Sequence, residues 1–276
     1  MNENLKPILK WVGGKRQLVP SLLPLMPKSF DLYCEPFLGG GALLFSIQPN
    51  KAIVNDINPE LISLYKVVKE DVSSLIKELL TYKNDEEFFY KIRNIDRDLK
   101  KFNKLSLVKK AARTYYLNKS CFNGLYRVNR KGQFNSPYGH YKSAFVPDIK
   151  ALNSLSEYLN ASDISIFNGS YLNLLDKLDS KSFVYLDPPY DPVSVSSSFT
   201  NYSKLGFSRE DQVSLRDFCK ELDKRNINFM LSNSATEFIK ELYKDFDVSI
   251  VKARRFINSK GNGRGFIEEV VIRNYK

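Results

Sequence analysis

Histidine is almost absent from this chain: the single one, His140, leaves a His-based metal centre or a Ser-His-Asp triad without its parts. Cysteine is scarce as well. Cys34, Cys121 and Cys219 stand far apart in no metal-ligand spacing, so they read as reduced, structural thiols rather than a disulfide framework. No stretch approaches the roughly 18 uninterrupted apolar residues of a membrane span. The opening "MNENLKPILK" lacks the apolar centre of a secretory leader, and the expectation is a cytosolic protein with no membrane and no metal. The G-x-G-x-x-G spacing is missing from the one glycine-rich turn, which disfavours a dinucleotide pyrophosphate. No internal repeat is visible, and the only biased stretch is the serine cluster Ser194 to Ser198.

What is present is size and positive charge. The 276 residues are 43% hydrophobic and 13% aromatic, enough for one large domain or one domain carrying an inserted lobe. Lys and Arg number 42 against 31 Asp and Glu, a net charge of +11 that favours a polyanionic partner such as nucleic acid, unless the basic face is merely solvated.

Residues 29 to 59 read as strand, glycine turn, short helix and a second strand ending at Asp56, one unit of a parallel sheet. From Pro59 to about Leu80 apolar residues recur at three and four, predicting an amphipathic helix, and further helices follow through "EEFFYKIRNIDRDL" and "LVKKAARTYYLNKS". In "CFNGLYRVNRKGQFNSPYGHYKSAF" the turn residues Asn129 to Gly132 separate two strand-like pieces, predicting a hairpin. Strand-helix alternation then resumes: "DISIFNG", "SFVYLD", a helix over 208 to 225, "INFMLSN", a helix over 235 to 245, and a terminal pair of strands. The expectation is an α/β fold with a doubly wound, mostly parallel sheet split by a mainly helical lobe plus hairpin. Residues 1–57 and 161–276 would form the sheet domain and 58–160 the insertion.

Four segments carry chemistry. "EPFLGGG", Glu35 to Gly41, puts glycines at a strand-to-helix turn, where a ligand can approach the backbone and helix N–H groups, unless it is only a tight turn. Asp56 ends the next strand, where a carboxylate can hold the two hydroxyls of a ribose or cap the helix that follows. Together they suggest an adenosine. "KWVGGK", Lys10 to Lys15, pairs a glycine turn with the only tryptophan and a lysine, although Trp11 could be core and Lys15 a surface charge. The fourth, "VYLDPPYD", stops an apolar strand on an acid, two prolines and a tyrosine; the prolines make Asp187, Pro188, Pro189 and Tyr190 a stiff, extended corner. Methylating an exocyclic amine needs its lone pair aimed in line with a departing sulfur. The Asp187 carboxylate and the Pro188 carbonyl would accept both N–H hydrogens, and Tyr190 would stack on the base.

In this order the segments resemble the Dam-type DNA adenine-N6 methyltransferases, over nearly the whole chain from "LKWVGGKRQLVP" through "FNGLYRVNRKGQFNSPYGHYK" to "SNS". The resemblance implies that Trp11, Lys15, Asp56 and the segment holding Glu35, Pro36, Phe37, Gly39 and Gly41 bind S-adenosylmethionine. Phe167 would face the cofactor's adenine, and Asp187 would sit between donor and target amine. It also implies that Lys10, Phe122, Asn123, Leu125, Arg127, Pro137 and Tyr141 meet double-stranded DNA, at GATC, with the adenine extruded to reach Tyr190. The expected setting is the cytoplasm, associated with the nucleoid through DNA, with a companion restriction endonuclease as a genetic rather than a physical partner. A cytosine-N4 or RNA amino-methyltransferase is the nearest alternative, though the former more often resembles Ser-Pro-Pro-Tyr at the corner; a non-catalytic DNA-binding regulator is another. His140 stands where these enzymes often carry arginine, and residues 254–265 would either clamp phosphate or form a solvated turn.

Overall fold

In a computed structural model that describes residues 5–11, 13–143, 145–193, 206–254 and 266–276, the chain opens with a 3-10 turn at Lys15–Gln17 and a short helix, α1 (Val19–Leu22). The first strand, β1 (Leu32–Glu35), is buried on both faces, Tyr33 pointing to one hydrophobic cluster and Cys34 to the other. The glycine turn leads into α2 (Ala42–Ile47), and β2 (Lys51–Asp56) returns beside β1. Then come α3 (Pro59–Leu79), α4 (Glu86–Arg93), α5 (Leu99–Asn103), α6 (Leu107–Ser120), a long loop and α7 (Ile149–Ala161). The remainder alternates: β3 (Asp163–Asn168), a 3-10 stretch, β4 (Ser182–Leu186), α8 (Arg209–Lys224), β5 (Asn228–Ser234), α9 (Glu237–Leu242), β6 (Asp247–Arg254) and β7 (Phe266–Arg273). The serine cluster Ser194 to Ser198, position 12 of "KWVGGK" and residues 255–265 lie outside the described residues.

The sheet order is β3-β2-β1-β4-β5-β7-β6. The first five strands are parallel, and β7 runs antiparallel to both β5 and β6, so the sheet is mostly parallel and doubly wound, as expected. Its two faces follow from alternation along the strands. Tyr33, Ala52, Val54, Phe183, Tyr185 and Met230 pack with α3 and α7, whereas Cys34, Ile53, Val184, Leu186, Phe229 and Leu231 pack with α8 and α9. The first of these cores continues without a break into α6 through Ala111, Tyr115 and Tyr116.

Helix starts are written locally. Asn58 caps α3, accepting from the N–H groups of Glu60 and Leu61, and Pro59 sits where its missing N–H costs nothing. Ser208 and Asp211 close a capping box on α8. Two expectations are corrected. The helix through "EEFFYKIRNIDRDL" is broken, because Asp98 leaves the helical region (φ −108°, ψ 94°) to cap α5. The helix at 235 to 245 shrinks to Glu237–Leu242, since Thr236 takes the cap and Tyr243 leaves the helix at φ −113°.

The predicted hairpin is the larger correction. Residues 121–145 contain no named strand among the described residues, only isolated bridges at Cys121↔Tyr138 and Val128↔Phe134. The Asn129 to Gly132 turn does close, Gly132 N–H donating to Asn129 O at 2.8 Å. Beside the turn the two legs exchange only Asn129 N–H to Gln133 O at 2.8 Å and Asn135 N–H to Arg127 O at 3.0 Å. The Gln133 N–H goes to Asn129 Oδ1 at 3.0 Å, and the Phe134 N–H and O, on the outer edge, are held by Asp96 at 2.8 Å and Arg97 at 2.6 Å. Pro137 has no N–H to give.

Candidate active site and candidate DNA-binding loop

Glu35 ends β1, Asp56 ends β2, and Asp187 follows the last residue of β4, so three carboxylates meet at the carboxyl edge of the sheet. Between β1 and β4 the strand order reverses direction, and that crevice is where open α/β sheets take ligands. The cavity of about 450 Å³ lined by Lys51, Asp163 and Lys181 lies at the opposite edge, where β2 and β3 begin, and touches none of these carboxylates.

Lys15 organises the centre. Its side chain is 7% exposed, and its ammonium lies 3.0 Å from Asp187 Oδ1, donates to Gly13 O at 2.8 Å and stands 4.2 Å from the centre of the Tyr190 ring. One cation therefore occupies both the carboxylate and the aromatic face of the corner. Burial pushes the Asp187 carboxyl up to about 6, with Lys15 pulling it back. The Tyr190 hydroxyl donates to Glu269 Oε2 at 2.7 Å.

The corner is rigid for reasons beyond its prolines. Gln212 Nε2 donates to Pro189 O at 2.8 Å, Asn233 Nδ2 donates to Gln212 Oε1 at 3.0 Å, and Asn233 Oδ1 accepts the Asp191 N–H at 3.1 Å. Asp191, 2% exposed, also accepts from Thr236 Oγ1 at 2.8 Å and Arg209 Nε at 3.2 Å. These braces come from α8, β5 and the start of α9, and sequence reading missed them together with Glu269. The one available signal for Glu269 was an acidic pair, Glu268 and Glu269, inside an otherwise apolar strand.

The glycine turn works differently from expectation. Gly39, at φ +47°, does not present its N–H outward; it donates to Asp56 Oδ2 at 2.9 Å, while Asn58 N–H donates to Asp56 Oδ1 at 2.9 Å. Asp56 is thus no helix cap, since Asn58 performs that role. Each Asp56 oxygen keeps a lone pair beyond its backbone bond, which leaves acceptors for two hydroxyls. Trp11 closes over the turn: a Cβ at Gly39 would lie 2.8 Å from its Cδ1. The indole stacks on Tyr126 of the long loop with centroids 4.9 Å apart.

Glu35 is 3% exposed, accepts from the Tyr33 hydroxyl at 2.8 Å, and is pushed by burial up to about 8. Its raised value means the folded state binds this proton more tightly than the unfolded state. This group's contribution is therefore undiminished below the ordinary value of 4.5 and is lost as pH rises toward 8. Glu35→Gln is expected to raise the melting temperature of the ligand-free protein relative to wild type more at pH 8 than at pH 5, as thermal unfolding at both values would reveal. With Glu35 keeping its proton below about pH 8, Asp56 and Asp187 are the carboxylates of the site's floor that suit an adenosine derivative carrying positive charge. Pro36 is buried in the same turn and its carbonyl accepts from Asn55 Nδ2 at 3.0 Å. Phe37 packs on Tyr171, and the Phe167 ring lies 4.9 Å from Lys177 Nζ. Gly41, at φ +66°, begins α2.

Of the residues expected to meet DNA, Phe122 lies beside Pro137 and Lys10 beside Tyr141. Lys10, Phe122, Asn123, Arg127, Pro137 and Tyr141 are exposed and Leu125 half-buried. Phe122 N–H donates to Pro137 O at 2.9 Å, Leu125 N–H donates to Phe122 O at 3.2 Å, and Asn123 takes a left-handed conformation at φ +56° that turns the chain outward. The Arg127 carbonyl accepts from Asn135 N–H at 3.0 Å, and its side chain is exposed. His140, at φ +51°, lies 4.0 Å from Glu86. Among the described residues no group of three or more potential metal ligands occurs, and no helix is long and apolar enough to cross a membrane.

The model of the D12 class N6 adenine-specific DNA methyltransferases matches residues 11–257. The Type II methyltransferase M1.LlaDCHI of Lactococcus lactis subsp. cremoris is 45% identical over 99% of this chain and 96% of its own. The Type II methyltransferase M.MjaIII of Methanocaldococcus jannaschii is 42% identical over 98% and 99%. The DNA adenine methylase of Escherichia coli K12 is 33% identical over 95% and 93%.

Proposed function

The chain belongs to the D12 class N6 adenine-specific DNA methyltransferases, with S-adenosylmethionine as methyl donor, and from that premise we propose that it modifies GATC in double-stranded DNA after extruding the adenine into the Asp187 corner. The observation that carries this reading is the Lys15 ammonium, seated at once on the Asp187 carboxylate and the Tyr190 ring. An adenine amine in the same place would find an anionic acceptor for its N–H and a π-face for its ring. Glu35, Asp56 and the Gly39 turn under Trp11 are the groups that would hold the donor, Glu35 as a neutral carboxyl and Asp56 as the acceptor whose negative charge suits the donor's positive one. When bound, the donor supplies an electrophilic methyl group on sulfur.

The chain's own part is placement. As the base enters, Lys15 withdraws from the Asp187 oxygen and the carboxylate takes the amine hydrogen in its place. The Pro188 carbonyl accepts the second hydrogen, and the nitrogen's lone pair is thereby freed from the ring and aimed outward. The proton lost after methylation needs no strong base, because a methylated, positively charged amine is far more acidic than the parent; Asp187 receives it and passes it to water. Glu269, by accepting from the Tyr190 hydroxyl, fixes the ring on which the base stacks.

Residues 58–160 would read the target through the loop. Phe122 enters the stack as a wedge, Arg127 addresses a guanine edge or phosphate, and Leu125 and Pro137 touch a thymine methyl. The names of two relatives as type II methyltransferases support a companion nuclease that shares the target sequence without binding this chain. Expression in cells devoid of adenine methylation, followed by mapping of modified bases, should place N6-methyladenine at GATC. Methylation confined to another motif would overturn the specificity, and methylated cytosine would overturn the acceptor.

A further inference from the structure

Asn118 lies near the end of α6, fully buried, and its side-chain amide joins two segments far apart in sequence. Oδ1 accepts from Lys10 N–H at 2.9 Å, while Nδ2 donates to Lys10 O at 2.7 Å and Gly124 O at 3.2 Å. Gripping both the N–H and the C=O of Lys10 fixes the peptide units on either side of its Cα. The lysine stem then runs along Gly124, where a Cβ would come within 2.7 Å of Lys10 Cδ and 2.8 Å of its Cβ. Gly124 itself sits at φ +67°, so its lack of a side chain serves both the turn and the close approach.

From there Lys10 Nζ stands 5.9 Å from the centre of the Tyr141 ring, whose hydroxyl donates to Cys121 O at 3.1 Å. Tyr141 in turn lies over Gly139, where a Cβ would be 2.4 Å from its Cε2. The N-terminal segment, the 122–125 turn and the return leg of the loop are therefore one packed unit around a single buried amide.

We propose that Asn118 is a specificity-positioning residue, holding Lys10 against the 122–125 turn so that one cation and one wedge meet the duplex in a fixed register. This rests on the DNA-facing reading of Lys10, Phe122 and Tyr141. A free lysine is a flexible point charge that any phosphate satisfies. Tied at its backbone and along its stem, it has one place to act, and a duplex with a changed base pair cannot bring its partner there.

The test compares kcat/KM on a short duplex carrying the sequence mapped for wild type with a duplex altered at one base pair. Asn118→Leu keeps the volume and removes all three bonds; the ratio of the two values is expected to fall at least tenfold. Asn118→Asp keeps the acceptor for Lys10 N–H, loses both donors, and carries the test if the leucine variant does not fold, with a fall in the same direction. In a Lys10→Ala background the Asn118 substitution should change the ratio much less, because its effect runs through Lys10. Equal losses on both duplexes, or an unchanged ratio with wild-type preference intact, would overturn the inference. A wild-type protein that labels no adenine, or prefers neither duplex, would instead overturn the functional reading beneath it.

Discussion

Asp187→Ala is expected to lower single-turnover methyl transfer by about 10³-fold while leaving duplex affinity nearly unchanged. Asp187 follows β4 and has a side chain only 20% exposed, so its removal strips the corner of its anion without touching the exposed loop proposed to meet DNA. The amine would then keep its lone pair delocalised in the ring. Lys15 would be left with an ammonium 7% exposed and no carboxylate, a second cost that moves the cation but does not restore an acceptor. Asp187→Asn should be nearly as inactive, because a neutral amide cannot balance the charge that grows on nitrogen. In wild type, kcat/KM should fall as pH drops below about 6, where the Asp187 carboxyl takes up its proton in the free enzyme. Labelled-donor assays with and without excess DNA, alongside mobility-shift titrations, separate the two effects. A variant turning over at close to the wild-type rate would remove Asp187 from the chemistry.

Arg113→Met should cost about 3–5 kcal/mol in urea unfolding. The guanidinium is 1% exposed and pairs with Glu60 at 2.8 Å and Asp96 at 2.6 Å, with further bonds to the carbonyls of Ile92 at 3.1 Å and Arg93 at 3.0 Å. Removing it leaves two largely buried carboxylates facing each other. Glu60 is already held above the ordinary carboxylate range by burial, even with the arginine present. The damage should not stay in the helices, because Asp96 also holds the Phe134 N–H of the 121–145 loop at 2.8 Å. Adding Glu60→Gln to the Arg113→Met variant should recover part of the loss, since one of the two facing charges is then gone while Asp96 keeps its pair with Arg97 at 2.8 Å. A midpoint within error of wild type for the single variant would show that the network contributes little.

How much of this was written in the sequence depends on distance along the chain. The helix at "LVKKAARTYYLNKS" coincides with Leu107–Ser120, because its cap, periodicity and end are all local. The acids at the strand ends were legible for the same reason: Glu35, Asp56 and Asp187 each stop an apolar run. The partnership of Lys15 with Asp187 and Tyr190 was not, since it is made by the N-terminal 3-10 turn at Lys15–Gln17 returning to the end of β4, far along the chain. Asn118 was invisible for a related reason: within "LNKS" it looks like an exposed helix residue, and only the return of Lys10 to α6 buries it. The hairpin shortened to isolated bridges, because turn residues announce a reversal but cannot say how far the ladder runs before a side chain such as Asn129 takes a backbone N–H. Arg113 carried no signal at all; charge in a helix reads as surface until neighbouring helices close over it.

The account turns on which residues the target base touches. Duplex in which 5-iodouracil replaces the target adenine can be irradiated in the bound complex, digested and sequenced by mass spectrometry. The expected crosslink lies on Tyr190, within residues 184 to 191, and is lost in Tyr190→Ala. A crosslink confined to Phe122 and its neighbours in the loop, with none at the corner, would mean that the base does not enter where Lys15 now sits.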